Sequence, residues 1–112
     1  MSIQPMKVRG PEVEPVEMLP GIQRRTLAYG ECLMVTQFLI SQGTELAQHS
    51  HPHEQISYVV SGELEMQVGG RSYHLQPGDS LLLPAGMEHS ALALQDVVVI
   101  DTFSPPREEY KY

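Results

Sequence analysis

Two groups of histidines are the residues of this chain best suited to chemistry. His49, His51 and His53 stand at alternate positions, and His89 lies far along the chain behind Pro84-Ala85-Gly86. In an extended strand, alternate side chains point to one face and repeat about every 6.6 Å. His49 and His51 on such a strand can converge on one ion, at nitrogen–metal distances near ~2 Å. Gln55 has the same parity, and its carbonyl oxygen can accept a metal where its amide nitrogen cannot. Glu54 is the rival oxygen donor, but its opposite parity turns it away from His49 and His51. His53 has the right parity, but Pro52 bends the strand there and leaves His53 at the rim. His89 has to arrive from a neighbouring strand. Taken alone, a histidine triplet reads equally well as a solvated polar strand.

The wider spacing decides between these readings. Gly43, five residues, His49-x-His51, three residues, Gln55, six residues and Gly62 follow the first cupin motif. Gly78, five residues, Pro84-x-Gly86, two residues and His89 follow the second. The glycines and the proline make the turns that let two strand pairs aim ligands inward. The chain departs from the pattern twice: Gln55 stands where the first motif normally has Glu, and Ala93 where the second often has Asn. Losing a negative ligand leaves a bound metal with more of its positive charge, hence a better Lewis acid and anion anchor. The resemblance implies an all-β fold, the cupin antiparallel β-barrel (a double-stranded β-helix or jelly roll). It also implies one divalent transition metal on His49, His51, Gln55 and His89. Nickel, zinc, iron and manganese all suit such ligands.

The elements that must present these residues are short strands. Nine glycines and nine prolines divide the 112 residues, and no window sustains a helical period. Strands are expected at 22–29, 33–40, 55–61, 63–68, 71–75, 80–83, 90–94 and 97–103, separated by turn signals such as Gly69-Gly70. Residues 1–20, with four prolines, read as an extended arm that adds an edge strand near 16–19; residues 21–112 read as one domain. The N-terminal residues 1–6 have no apolar run behind a basic start, so no secretory signal is expected. The single cysteine, Cys32, reads as a packed strand residue, and the lack of a disulfide framework favours a reducing cytoplasm. Fourteen acidic against seven basic residues give a net charge of -7, which disfavours nucleic acid and anionic lipid as partners. No apolar stretch approaches the roughly 20 residues of a membrane helix. An anionic substrate must therefore be held by local positive charge.

The C-terminal region supplies that charge. Val97-Val98-Val99-Ile100 reads as a strand buried on both faces. It runs into Asp101, a carboxylate that is costly inside a barrel without a partner or a task. Val99, Asp101 and Phe103 share a face, and Pro105-Pro106 stiffens the chain into an extended stretch before Arg107. By composition alone, Asp101 would end the strand in water and Arg107 would pair with Glu108 or Glu109.

The run His49-Ser-His-Pro-His-Glu-Gln55, then Tyr58-Val-Val-Ser-Gly62-Glu-Leu-Glu65, and the ending Asp101-Thr-Phe103-Ser-Pro-Pro-Arg107-Glu-Glu together resemble the KdgF family. These are small cupins of pectin and alginate breakdown, and the likeness spans roughly residues 40–110. It implies ring opening of 4,5-unsaturated monouronates to linear 4-deoxy-5-keto uronates, with a small anionic sugar acid as the partner. It implies a pocket lined by Asp101, Phe103 and Arg107. Arg107 would hold the substrate carboxylate, and Asp101 would move protons between ring oxygen, water and C4. Phe103 would shape the pocket. An isomerisation needs no redox change, which leaves the metal's identity flexible. Two other classes share these residues: an iron-dependent cupin dioxygenase and a non-catalytic sugar-acid binder. A homodimer is expected, with the Pro-rich arm as an exchange element.

Overall fold

The computed structural model describes residues 4–112. Among them are ten strands: β1 (Val16–Leu19), β2 (Ile22–Tyr29), β3 (Met34–Ile40), β4 (Glu45–His49), β5 (Glu54–Ser61), β6 (Leu64–Val68), β7 (Arg71–Leu75), β8 (Ser80–Leu83), β9 (His89–Ala93) and β10 (Val97–Ser104). They form a six-stranded sheet, in the order β1-β2-β3-β10-β5-β8, and a four-stranded sheet, β4-β9-β6-β7. Every strand pairing is antiparallel. The barrel is thus a jelly roll of two sheets rather than one continuous hydrogen-bonded ring. Among the described residues no helix is long and apolar enough to cross a membrane.

Alternation builds the core. Met34, Thr36, Phe38 and Ile40 are buried on β3 while the residues between them are half-buried. On β5, Gln55, Ser57 and Val59 are buried and their neighbours exposed. Residues of both sheets, among them Phe38, Val59, Leu64, Leu83 and Val99, meet in one apolar cluster. Burying a side chain such as Leu64 contributes about 1.5–3 kcal/mol. Gly62 shows why the first motif ends in glycine. Its φ of 78° is left-handed, and a Cβ there would lie 2.1 Å from the Asp96 carbonyl oxygen.

Several expectations need correction. Residues 45–49 form a strand, β4, that was absent from the expected set. β4 and β5 belong to different sheets, so His49, His51 and Gln55 do not ride on one strand. His49 ends β4, His51 and His53 lie in the crossing between sheets, and Gln55 sits in β5. β10 buries Val97 and Val99 fully, but Val98 and Ile100, which alternate to the outer side of its sheet, only half. Cys32 is exposed, not packed. It lies in the β2–β3 turn, closed by the Gly30 N–H donating to the Leu33 carbonyl at 2.8 Å, and the buried alternation starts only at Met34. The chain bends at Pro105, after a cis Ser104–Pro105 peptide, instead of running extended to Arg107. Of the expected arm, residues 1–3 lie outside the described residues; Val16–Leu19 pairs with β2 as the edge of the larger sheet.

Candidate metal centre and adjoining cavity

Backbone register assembles the site. His49 and His89 face each other across the β4–β9 ladder, with ring centroids 4.3 Å apart. His51 is held beside them by the turn between β8 and β9. The Gly86 N–H donates to the His51 carbonyl at 2.9 Å, and the Met87 N–H closes the turn on Pro84. This is the physical use of Pro84-x-Gly86: the turn that delivers His89 also clamps the segment bearing His51. The His51 ring lies 4.9 Å from that of His89 and 5.9 Å from that of His49. One nitrogen from each of the three rings lies within 4.8 Å of the other two, so the triad is positioned for a metal ion. From the opposite sheet, Gln55 brings its Oε1 to 3.0 Å from His51 Nε2.

The protons of the three rings are fixed by their neighbours. His49 Nδ1 lies 2.8 Å from the Ala47 carbonyl, His51 Nδ1 3.1 Å from that of His53, and His89 Nδ1 3.0 Å from that of Met87. A backbone carbonyl only accepts, so each Nδ1 carries the proton and donates it. Each Nε2 is then a free lone pair, the tautomer a metal requires, with the outward N–H anchored as in established metal sites. His51 gives the sharper test of fit. Its Nε2 lone pair faces Oε1 of Gln55, an acceptor facing an acceptor. Moving the proton to Nε2 transfers the same conflict to Nδ1 and the His53 carbonyl. A doubly protonated ring would satisfy both, but desolvation by burial, with Arg107 and His89 nearby, lowers His51 to a pKa of about 4. His89 is lowered as well, chiefly by burial. A cation between the ring and the amide oxygen resolves the conflict, and three imidazoles with one amide oxygen suit a divalent transition ion.

The β5–β10 register carries the site outward. Gln55 pairs with Phe103, and Ser57 with Asp101. Ser57 Oγ donates to Asp101 Oδ1 at 2.6 Å, and Gln55 Nε2 donates to Ser57 Oγ at 3.0 Å. The half-buried carboxylate thus has the partner that its position demands. Burial raises Asp101 to a pKa of about 6, against the opposing pull of Ser57, Gln55 and Arg107. A cavity of about 340 Å³ lies alongside, with His49, Gln55, Ser57, His89, Asp101 and Arg107 among its polar lining and mostly apolar walls elsewhere.

Phe103 and Arg107 close this group. Phe103 is 1% exposed and packs edge-on against His51 and Tyr110. The Arg107 guanidinium lies over the Tyr110 ring at 4.2 Å and near the Phe103 ring at 5.2 Å. Its Nε donates to Glu109 at 2.7 Å. Both expectations for Arg107 therefore meet in one side chain, which lines the cavity and also pairs with an acidic neighbour. Glu54 is exposed on β5, as its parity requires, and is not part of the site. His53 is half-buried, its ring 5.5 Å from that of His51, and it is not among the residues lining the cavity.

Sequence reasoning missed Ser57, Tyr110 and Arg24. Ser57 shares the inward parity of Gln55, which is the signal that could have found it. Arg24 shares the inward parity of Ile22 on β2 and is 3% exposed. Its guanidinium sits 4.6 Å from the Tyr110 ring centroid and bonds Met18 Sδ and the main-chain oxygen of Tyr112. Tyr110 belongs to a 3₁₀ turn, Glu108–Tyr110, with no alternating pattern to betray which way it faces.

The cupin domain model matches residues 36–103. The pectin degradation protein KdgF of Dickeya dadantii (strain 3937) is 31% identical over 96 residues, covering 84% of this chain and 87% of that protein. The solved structure of KdgF from Halomonas sp. superposes with a TM-score of 0.91 at 35% identity, covering 95% of this chain and 98% of the other. An RmlC-like cupin from Shewanella frigidimarina NCIMB 400 gives a TM-score of 0.90 at 34% identity, covering 96% of each chain. With the fold and most of its length shared, the chain belongs to the cupin family and, within it, to the KdgF proteins.

Proposed function

We propose that this protein is a metal-dependent enzyme that opens 4,5-unsaturated monouronates to linear 4-deoxy-5-keto uronates. The observation that carries the reading is the meeting at one cavity of two histidines of the triad, His49 and His89, a half-buried carboxylate and a stacked arginine. A divalent ion on His49, His51, Gln55 and His89 would supply Lewis acidity toward substrate oxygens. Arg107, lying over the rings of Tyr110 and Phe103, presents its terminal nitrogens to the substrate carboxylate; its Nε is already bonded to Glu109. Asp101, raised to about 6, is poised to exchange protons near neutral pH.

The reaction is an isomerisation and balances without a co-reactant. The C1 hydroxyl loses its proton as the bond between C1 and the ring oxygen breaks, which leaves C1 an aldehyde and C5 an enolate. C4 gains a proton as C5 becomes a ketone. Asp101 is the group in the cavity able to take the first proton and deliver the second. Phe103 closes the wall of the cavity and excludes water from it.

The test is an absorbance assay for loss of the conjugated double bond of a 4,5-unsaturated monouronate, with dissolved oxygen followed in parallel. The reading expects substrate loss without oxygen uptake. Oxygen uptake coupled to turnover would replace it with a dioxygenase. Binding of the uronate with no turnover would replace it with a sugar-acid binder.

A further inference from the structure

We infer that Ser57 is a positioning residue that sets which atom of Gln55 faces the histidine triad. The inference rests on the metal reading proposed above. An amide presents an acceptor on one side and two donors on the other, and only the acceptor can bind a metal. Within the triad itself nothing selects between the two orientations. With its Nε2 unprotonated, His51 would accept an N–H from Gln55 as a hydrogen bond, which would turn the wrong atom inward. The selection comes from the other side of the amide. Ser57 is 1% exposed and has a single proton to donate. Its Oγ lies 2.6 Å from Asp101 Oδ1, a length typical of a hydroxyl donating to a carboxylate. That proton being committed, only oxygen lone pairs face Gln55, 3.0 Å away. Gln55 must therefore present its NH₂ to Ser57, and Oε1 turns to the triad.

A glutamate, the residue the first cupin motif normally carries here, needs no such device, because both of its oxygens can bind a metal. The chain's departure from the motif at Gln55 and the hydroxyl at Ser57 thus belong to one solution. Their shared inward parity on β5 puts them side by side, and the register with β10 places Asp101 opposite Ser57.

The experiment measures zinc affinity by competition with a chromophoric chelator for the wild type, Ser57→Ala, Ser57→Thr, Gln55→Glu and the double variant Gln55→Glu/Ser57→Ala. In Ser57→Ala the amide is free to turn its NH₂ onto His51, and zinc must break that bond to enter. Affinity should fall by about 10–100-fold, as for other residues that orient metal ligands. Ser57→Thr keeps the hydroxyl and should lose less than the ~10-fold floor of that range. In the Gln55→Glu background, removing the hydroxyl should also change affinity by less than that floor, since a carboxylate has no wrong orientation. An equal loss in both backgrounds would mean that Ser57 acts only through packing, and would overturn the inference. Unchanged zinc binding by Ser57→Ala would overturn it too, while leaving the metal reading intact. A wild type that binds no zinc, nickel, iron or manganese would overturn both.

Discussion

Asp101 is where stability and function are set against each other, and Asp101→Asn separates them. In the folded protein burial raises the carboxyl from 3.8 to a pKa of about 6. Below pH 3.8 the group is protonated whether the chain is folded or not, and its ionisation costs nothing. As pH rises from about 4 to about 6, the unfolded chain gives up its proton while the folded one retains it, so stability falls. Above about 6 the loss is complete, at about 3 kcal/mol for that separation of pKa values. Asparagine is neutral throughout and keeps an Oδ1 acceptor for Ser57. Urea unfolding of metal-free wild type and variant at pH 4 and pH 8 reads the effect. The variant's stability relative to wild type should improve by about 2–3 kcal/mol between the two values. His51 also titrates in this range, but it is common to both proteins and cancels in the comparison. Turnover of the unsaturated uronate should move the opposite way, falling by about 10²–10⁴-fold. A relative stability that does not change with pH would refute the burial argument. Wild-type turnover by the variant would remove Asp101 from the mechanism.

Gln55→Glu should retain the metal but put a negative charge beside it, so KM for an anionic uronate should rise in steady-state kinetics; an unchanged KM would refute the electrostatic reading of Gln55. Arg107→Lys keeps the charge but loses the planar fork and its stacking on Tyr110 and Phe103, so the main effect should be a higher KM at similar kcat. Phe103→Ala removes a ring that is 1% exposed, and thermal or urea unfolding should show a loss of about 3–5 kcal/mol; a much smaller loss would mean that the wall of the cavity collapses readily.

Much of this architecture is legible in the sequence, for identifiable reasons. Glycine and proline mark the turns and inward parity marks the core, so the strands from 71–75 and 80–83 fall where the turns require. The four residues around the candidate centre are legible through spacing, although the reason first attached to them was incomplete. Parity along one strand picked out His49, His51 and Gln55, whereas the structure brings them together by crossing from one sheet to the other. β4 escaped notice because Glu45, Ala47 and Gln48 are exposed and only Leu46 and His49 are half-buried, so it lacks a clear apolar alternation. That His89 comes from a neighbouring strand was legible, but which residue faces which across the strands was not. Ser57 with Asp101 and His49 with His89 depend on register between distant segments, which single-strand patterns do not encode. Arg24 and Tyr110 stayed hidden because an inward arginine and a 3₁₀ tyrosine contradict the usual pattern and are explained only by each other.

The central claim is a metal centre built on His49, His51, Gln55 and His89, and metal content by mass spectrometry tests it most directly. The wild type and the His49→Ala, His51→Ala and His89→Ala variants would be purified alike, loaded with a divalent transition ion, and freed of excess. Each chain of the wild type should carry one ion, and each variant should be depleted, because losing one of four donors leaves too few. Stoichiometric metal retained in all three variants would contradict the account.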